Sequence, residues 1–275
     1  MTTMPTEAPP APDDLPDLRP IIASDDAAQA VHEVLAQYAE SADTSHLGSL
    51  TDEELVVLMG GIEAVEPVGQ WYPGLGEHPQ RVSRATALRS LTSREEVIVT
   101  QDAEGDLSAR VSRRLMALLR MRFEPVGLSA QSMTRQGPSW YVLRRAGDLW
   151  LREVVTAQGF HAFDLVRLDD DEELFFRGIL GLLDHATASS VDGLRQPGGG
   201  APAPGEVMTF LARQRNVTQL ALVPPGEDAE PEACVVAVDE QGGTTVGTVE
   251  GDGLVYAGTA PQDVLERYRA WRGAW

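Results

Sequence analysis

Hydrophobic positions along the chain follow two periods, one helical and one extended. Val31, Val34, Leu35 and Tyr38 recur at helical spacing behind Ser24, a good N-cap, and behind Asp25 and Asp26, whose carboxylates complement a helix dipole. The spacing predicts a helix from about 25 to 40. Thr51-Asp-Glu-Glu54 is a capping box that opens a second helix ending at Gly60-Gly61. Trp71-Tyr-Pro-Gly74 is a turn, and Pro79 suits the first position of a third helix carrying Val82, Ala85, Leu88 and Leu91. Residues 95–100 read as a strand. Leu107, Val111, Leu115, Leu118, Leu119 and Arg122 share one helical face behind Asp106, which predicts a helix over 107–123.

Past Pro125 the period becomes extended. The runs 126–134, 139–145, 148–157 and 160–168 are separated by Gln136-Gly-Pro138, Gly147-Asp148 and Gln158-Gly159, the signature of an antiparallel meander. Asp169 to Glu173 opens another helix with Leu174, Phe175, Ile179, Leu182 and Leu183 as its expected buried stripe. Residues 188–204 are rich in Ser, Gly and Pro. The pattern then restarts with a helix over 206–215, strands over 217–223, 233–239, 244–250 and 253–258, and a last helix. Thr259 and Gln262 form its expected cap, and Val264, Leu265, Tyr268 and Trp271 its apolar face. The fold class is α+β, with antiparallel sheets flanked by helices in two related halves. The boundaries are an acidic tail at 1–23, a larger half at 24–187, a linker or loop at 188–204 and a smaller half at 205–275. The tail holds six of the 18 prolines and too little apolar surface to fold alone, so it is expected to be disordered.

Composition narrows the function. The net charge of −20 opposes binding to nucleic acid or anionic lipid. All 22 basic residues are arginine, consistent with a high-GC genome, which excludes a Schiff-base lysine and a lysine-containing phosphate loop. Residues 81–152 hold 13 arginines against seven acids, a local excess of +6. Those arginines either pair with nearby acids on solvated faces or form a docking face, with Arg113 and Arg114 as its candidates. One cysteine, Cys234, excludes a disulfide framework and a thiolate metal cluster, and its apolar surroundings predict burial. No apolar run approaches the roughly 20 residues needed to span a bilayer, and the N-terminus lacks a signal-peptide pattern, so a cytoplasmic protein without membrane insertion is expected.

Chemistry-bearing motifs are missing. Gly-x-Ser-x-Gly, Gly-x-Gly-x-x-Gly and His-Glu-x-x-His do not occur, and Glu250-Gly-Asp-Gly-Leu254 reads as a hairpin turn. The five histidines are scattered. Of these, His161 lies in a strand expected to be covered on both sides, sharing one face with Phe163. Asp169 to Glu173 lacks the glycine and alternating ligands of an EF-hand loop. No catalytic residue, metal ligand or cofactor is predicted, and the chain is expected not to be an enzyme.

The order of elements over residues 50–275 resembles a known family. It consists of the Trp71-Tyr-Pro73 turn, a helix ending Ala87-Leu-Arg-Ser-Leu91, helix 107–123, a meander with Trp140-Tyr-Val-Leu143 and Gly159-Phe-His161, a helix, a Pro/Gly break and a smaller helix–sheet–helix half. In this order the chain resembles the EspG family, actinobacterial cytosolic chaperones of ESX (type VII) secretion; the acidic proline-rich tail is not a hallmark of that family, and the 25–40 helix has no clear counterpart there. The resemblance implies a non-catalytic chaperone or adaptor whose partner is another protein, a secreted helical heterodimer of the PE–PPE kind. Aromatic residues supply much of the energy of protein interfaces. Trp71, Tyr72, Trp140, Tyr141 and Trp150 are therefore candidate contacts, each with an alternative place in the core. Two other functions compete. The 52–60 and 80–92 helices followed by the 95–100 strand suggest a winged-helix regulator using Arg81, Arg84 and Arg89, and the acidic surface suggests an immunity protein against a basic toxin.

Overall fold

The computed structural model describes residues 18–39, 45–62, 65–67, 69, 71–103, 106–198, 205–226 and 229–275. The larger half runs α1 (Arg19–Ile22), α2 (Asp25–Ala39), β1 (Ser45–Thr51), α3 (Asp52–Met59), α4 (Glu77–Ser93), β2 (Val97–Gln101), β3 (Leu107–Val111) and α5 (Arg113–Arg122). It continues through the meander β4 (Val126–Thr134), β5 (Gly137–Ala146), β6 (Leu149–Val155) and β7 (Phe160–Val166), then α6 (Asp170–Leu180). Two short strands follow, β8 (Thr187–Ala188) and β9 (Leu194–Gln196). The smaller half is α7 (Gly205–Leu211), β10 (Gln214–Leu222), β11 (Glu232–Asp239), β12 (Gly243–Glu250), β13 (Gly253–Gly258) and α8 (Pro261–Gly273).

The halves share one 11-stranded sheet in the order β1-β7-β6-β5-β4-β10-β11-β12-β13-β9, with β8 pairing parallel to β12; β2 and β3 form a separate hairpin. The seam is the antiparallel pair β4–β10, from Asn216 opposite Thr134 to Leu222 opposite Leu128. On one face, α2 to α5 join β1, β5, β6 and β7 in a core that includes Leu55, Leu58, Leu91, Leu119, Leu151 and Phe163. On the other, α6 and α8 pack across β4, β5, β6, β10 and β11 around Phe176, Tyr268, Trp271, Leu220 and Val236. Strand β6 is thus covered on both sides, which explains why it is buried along nearly its whole length, Arg152 and Glu153 included.

Several expectations are corrected. Residues 107–123 are not one helix: Val111 pairs with Val97 in the β2–β3 hairpin, and the chain turns at Ser112, whose hydroxyl accepts from Leu115 N–H and caps α5. Asp106 caps nothing; its N–H donates to Asp102 Oδ1 inside the hairpin loop. Helix α6 is turned from its expected face. Glu172, Glu173, Phe176 and Leu180 point inward while Leu174 is 63% exposed, because Arg152 and Arg269 bind the two glutamates. Helix α8 starts at Pro261 with Ala260 as N-cap, and the Thr259 hydroxyl donates to Ala257 O instead. The predicted tail is shorter at its C-terminal end, since Leu18 and Ile22 are buried by packing into the first core; residues 1–17 lie outside the described residues. Strand β9 falls inside the expected 188–204 linker, where backbone pairing to β13 needs no hydrophobic period.

Candidate functional site

The sheet face that α2 to α5 cover over β6, β7 and the Ala146 end of β5 continues across the rest of β5 and across β4, β10 and β11 without such a cover. The burial pattern shows it: in β10 Thr218, Leu220 and Leu222 are buried while Val217, Gln219 and Ala221 are not, and β4 alternates in the same way. A strand covered on one side must alternate, since successive side chains point to opposite faces. The open face is the floor of a groove of about 960 Å³, lined mainly by apolar side chains such as Trp140, Val142, Ala221 and Val235, with Glu66 and Pro67 forming one wall. Gln131 and Gln219 sit directly opposite each other on this floor. Their amides make no side-chain hydrogen bond among the described residues.

Strands β5, β4, β10, β11 and β12 are each paired on both sides. The backbone of the groove floor is therefore saturated, and an occupant cannot bind there by adding a strand. Residence on an apolar floor requires an occupant whose own backbone hydrogen bonds are already made, as a helix's are.

A buried chain of charges stands behind the Glu66–Pro67 wall. Strand β6 sends Glu153 into the first core, where one carboxylate oxygen accepts from Arg144 Nη1 at 2.8 Å and both accept from Arg122 Nε at 3.0 and 3.2 Å. Arg122 Nη2 donates to Val65 O at 2.5 Å and to Glu66 O at 3.0 Å. Glu153 Oε1 also lies 2.8 Å from His161 Nδ1, and Asp52 Oδ1 lies 2.8 Å from His161 Nε2. Asp52 Oδ1 accepts from Gly69 N–H at 3.0 Å, while its Oδ2 has no partner among the described residues. Glycine is required at 159: its φ is +77°, and a Cβ there would fall 2.1 Å from Asp52 Oδ2. Burial alone would raise the Glu153 carboxyl, but the Arg122 charge, the His161 hydrogen bond and Arg144 hold it at about 2. Burial alone would lower the His161 imidazole, and its hydrogen bonds to Asp52 and Glu153 raise it instead.

On the opposite face, neighbouring Arg152 places Nη1 2.6 Å from Glu172 Oε2 and Nη2 3.0 Å from Asp164 Oδ2, and stacks 4.1 Å over the Phe175 ring. Tyr141 Oη donates to Glu172 Oε1 at 2.5 Å. The alternation of β6 thus sends adjacent opposite charges into two separate layers. Both clusters are closed ion-pair networks, and among the described residues no group of three or more His, Cys, Asp or Glu side chains could hold a metal ion. The signal for the first cluster was present in the sequence: Arg122 interrupts an apolar helical stripe, and Glu153 an apolar strand.

The structure does not gather the seven candidate contacts. Trp140, half-buried, lines the groove. Trp71 is 48% exposed and lies outside the groove lining. Tyr72, Tyr141 and Trp150 are buried, because Tyr141 is bound to Glu172 and Trp150 packs edge-on against Trp271 and Trp275, so none of the three offers a contact surface. Arg113 forms a two-pronged ion pair with Glu33 of α2, and Arg114 pairs with Glu96. Cys234 is buried, and burial pushes its thiol up to about 11. No helix among the described residues is long and apolar enough to cross a membrane.

No family model matches the sequence, and no curated protein matches it. Among solved structures, the chain is similar to the Mycobacterium tuberculosis type VII secretion system chaperone EspG5, determined in complex with a PE25–PPE41 dimer. The TM-score is 0.47 at 12% sequence identity, over 82% of this chain and 96% of that chain, a likeness that carries no conclusion about family or function.

Proposed function

We propose that the chain is a non-catalytic adaptor or chaperone that holds another protein on the open sheet face. The observation that carries this role is the groove itself, an apolar surface left uncovered beside the stretches of the same sheet that helices cover. Proteins seldom leave a broad apolar face to water unless something binds it. Saturated backbone along the floor favours a helical partner over an extended peptide, and the two free glutamine amides favour a helix face that mixes apolar with uncharged polar side chains. A secreted helical heterodimer, the partner class implied by the sequence resemblance, would supply such a helix, and the chain would act on it in the cytoplasm before export.

The test uses the full chain and the partner recovered with it from its native host. Gln219→Arg combined with Val235→Glu places two charges on the open face, where solvent reaches both positions. The thermal midpoint should barely move while co-elution with the partner is lost. A double variant that binds as the unaltered chain does would place the binding surface elsewhere.

A further inference from the structure

The wall formed by Glu66 and Pro67 lies outside helix and strand, and its fastening is unusual. Two main-chain carbonyls, Val65 O and Glu66 O, accept from Arg122, while Gly69 N–H donates to Asp52. Arg122 and Asp52 are the two ends of the buried chain, and His161 joins them through Glu153. Both ring nitrogens of His161 face carboxylate oxygens, so both must donate, and the ring in this geometry is an imidazolium. The charged groups around it are Asp52 from α3, Glu153 from β6 and Arg122 from α5, while Arg144 from β5 binds the same Glu153. Tyr72, in the 71–74 turn, also feels the Asp52 charge.

We propose that this chain is a latch: while His161 holds both protons it fixes the Glu66–Pro67 wall of the groove through the ties at Val65, Glu66 and Gly69, and loss of one proton frees that wall. A neutral imidazole donates once. Its bare nitrogen then faces a carboxylate oxygen across 2.8 Å, whichever tautomer forms. If the bare nitrogen is Nε2, Asp52 loses the cation that His161 supplies and the Gly69 tie weakens; if it is Nδ1, Glu153 is repelled and Arg122 shifts with it, loosening the two carbonyls. Arg144 also lines the groove, so the same rearrangement reaches its floor. That the latch governs docking rests on the proposed role of the groove, whereas the latch itself is measured without any partner.

The experiment follows the full chain by NMR from about pH 6 upward, reading the His161 ring-nitrogen shifts beside the exchange protection of the Gly69 amide, with Leu119 in α5 as a core reference. Both ring nitrogens should be protonated at the start. As the ring loses a proton, Gly69 protection should fall about tenfold or more while Leu119 stays protected. His161→Gln should show the low Gly69 protection throughout. Asp52→Asn, which removes one of the two carboxylates demanding a proton, should move the transition to lower pH. A ring carrying one proton at the start overturns the latch, as does a ring that titrates with Gly69 unchanged, or with Gly69 and Leu119 released together. If either variant fails to fold, the pH series on the unaltered chain decides alone.

Discussion

One sheet face is used in two ways along its width. Over β6, β7 and the Ala146 end of β5 it is sealed under helices, and its side chains are either large and apolar, such as Leu151 and Phe163, or charged and fully engaged, such as Glu153 and His161. Over β4, β10 and β11 the same face carries Ser129, Gln131, Gln219, Ala221 and Val235, small apolar groups mixed with uncharged amides. The sealed part tolerates charge because every charge meets an opposite one at hydrogen-bond distance; the open part avoids charge at its centre. An apolar surface with neutral polar groups remains soluble alone and can still be desolvated by a partner, since no ion must be stripped of water.

The largest expected effect lies in the sealed part. Glu153→Ala would leave Arg122, Arg144 and protonated His161 buried without their shared anion, and should cost about 3–5 kcal/mol in denaturant unfolding. A loss comparable to a surface substitution would mean that water reaches this cluster. Next comes Gly159→Ala, which adds strain at positive φ to a clash with the Asp52 carboxylate and should cost about 2 kcal/mol or more. Gly251→Ala, at φ +63° with open space around it, should cost about 1 kcal/mol or less. Equal losses at the two glycines would show that the close packing around Asp52 contributes nothing.

The dependence of stability on pH sharpens the same contrast, because the titrating groups lie under the sealed part. Glu153 is depressed from 4.5 to about 2, so its contribution is present above 4.5 and is lost as pH falls through about 2. His161 is raised from 6.5, so its contribution is complete below 6.5 and is lost as pH rises through the higher folded value. Glu172, raised by burial on the opposite face, adds a second loss above 4.5. The thermal midpoint should peak between 4.5 and 6.5, and a midpoint that climbs steadily past that window would contradict the assigned charge of His161.

Effects in the open part should appear in binding more than in stability. Trp140→Ala is expected to lower stability by about 1 kcal/mol and to weaken partner affinity about tenfold or more, checked by unfolding and by titration calorimetry on one preparation. The smallest change belongs to the double reversal Arg113→Glu and Arg114→Glu. Both side chains are more than half exposed, each pairs with a local acid, and neither lines the groove. The melting curve and the affinity should both stay close to those of the unaltered chain. A marked loss of affinity would shift the binding surface toward the start of α5.

Much of this architecture was legible in the order of residues. Alternation placed the four strands of the meander and the four of the smaller half within a few residues of their observed ends, because a strand covered on one side repeats every second residue. The capping box at Thr51 formed as its residues predict, and Val264, Leu265, Tyr268 and Trp271 became the buried face of α8. Local chemistry misled where tertiary partners outweighed it. The apolar spacing across 107–123 is shared by a short strand and a helix, and only pairing with β2 divides them at Ser112. Helix α6 turned its glutamates inward because arginines from β6 and α8 await them, which no period within the helix reveals.

What the sequence by itself determined was the alternation of helices and strands, the absence of the catalytic motifs sought and the pairing of His161 with Phe163 on one strand face, all properties set within a few residues of one another. Only the tertiary structure decided that both halves share one sheet through β4 and β10, that Asp52 and His161, 109 positions apart, meet at 2.8 Å, and that one stretch of the sheet remains uncovered. Those features depend on which elements cross above which strands. A strand's own period records that one of its faces is wet, while the shape of the surface there is set by the helices that pack beside it and leave it open.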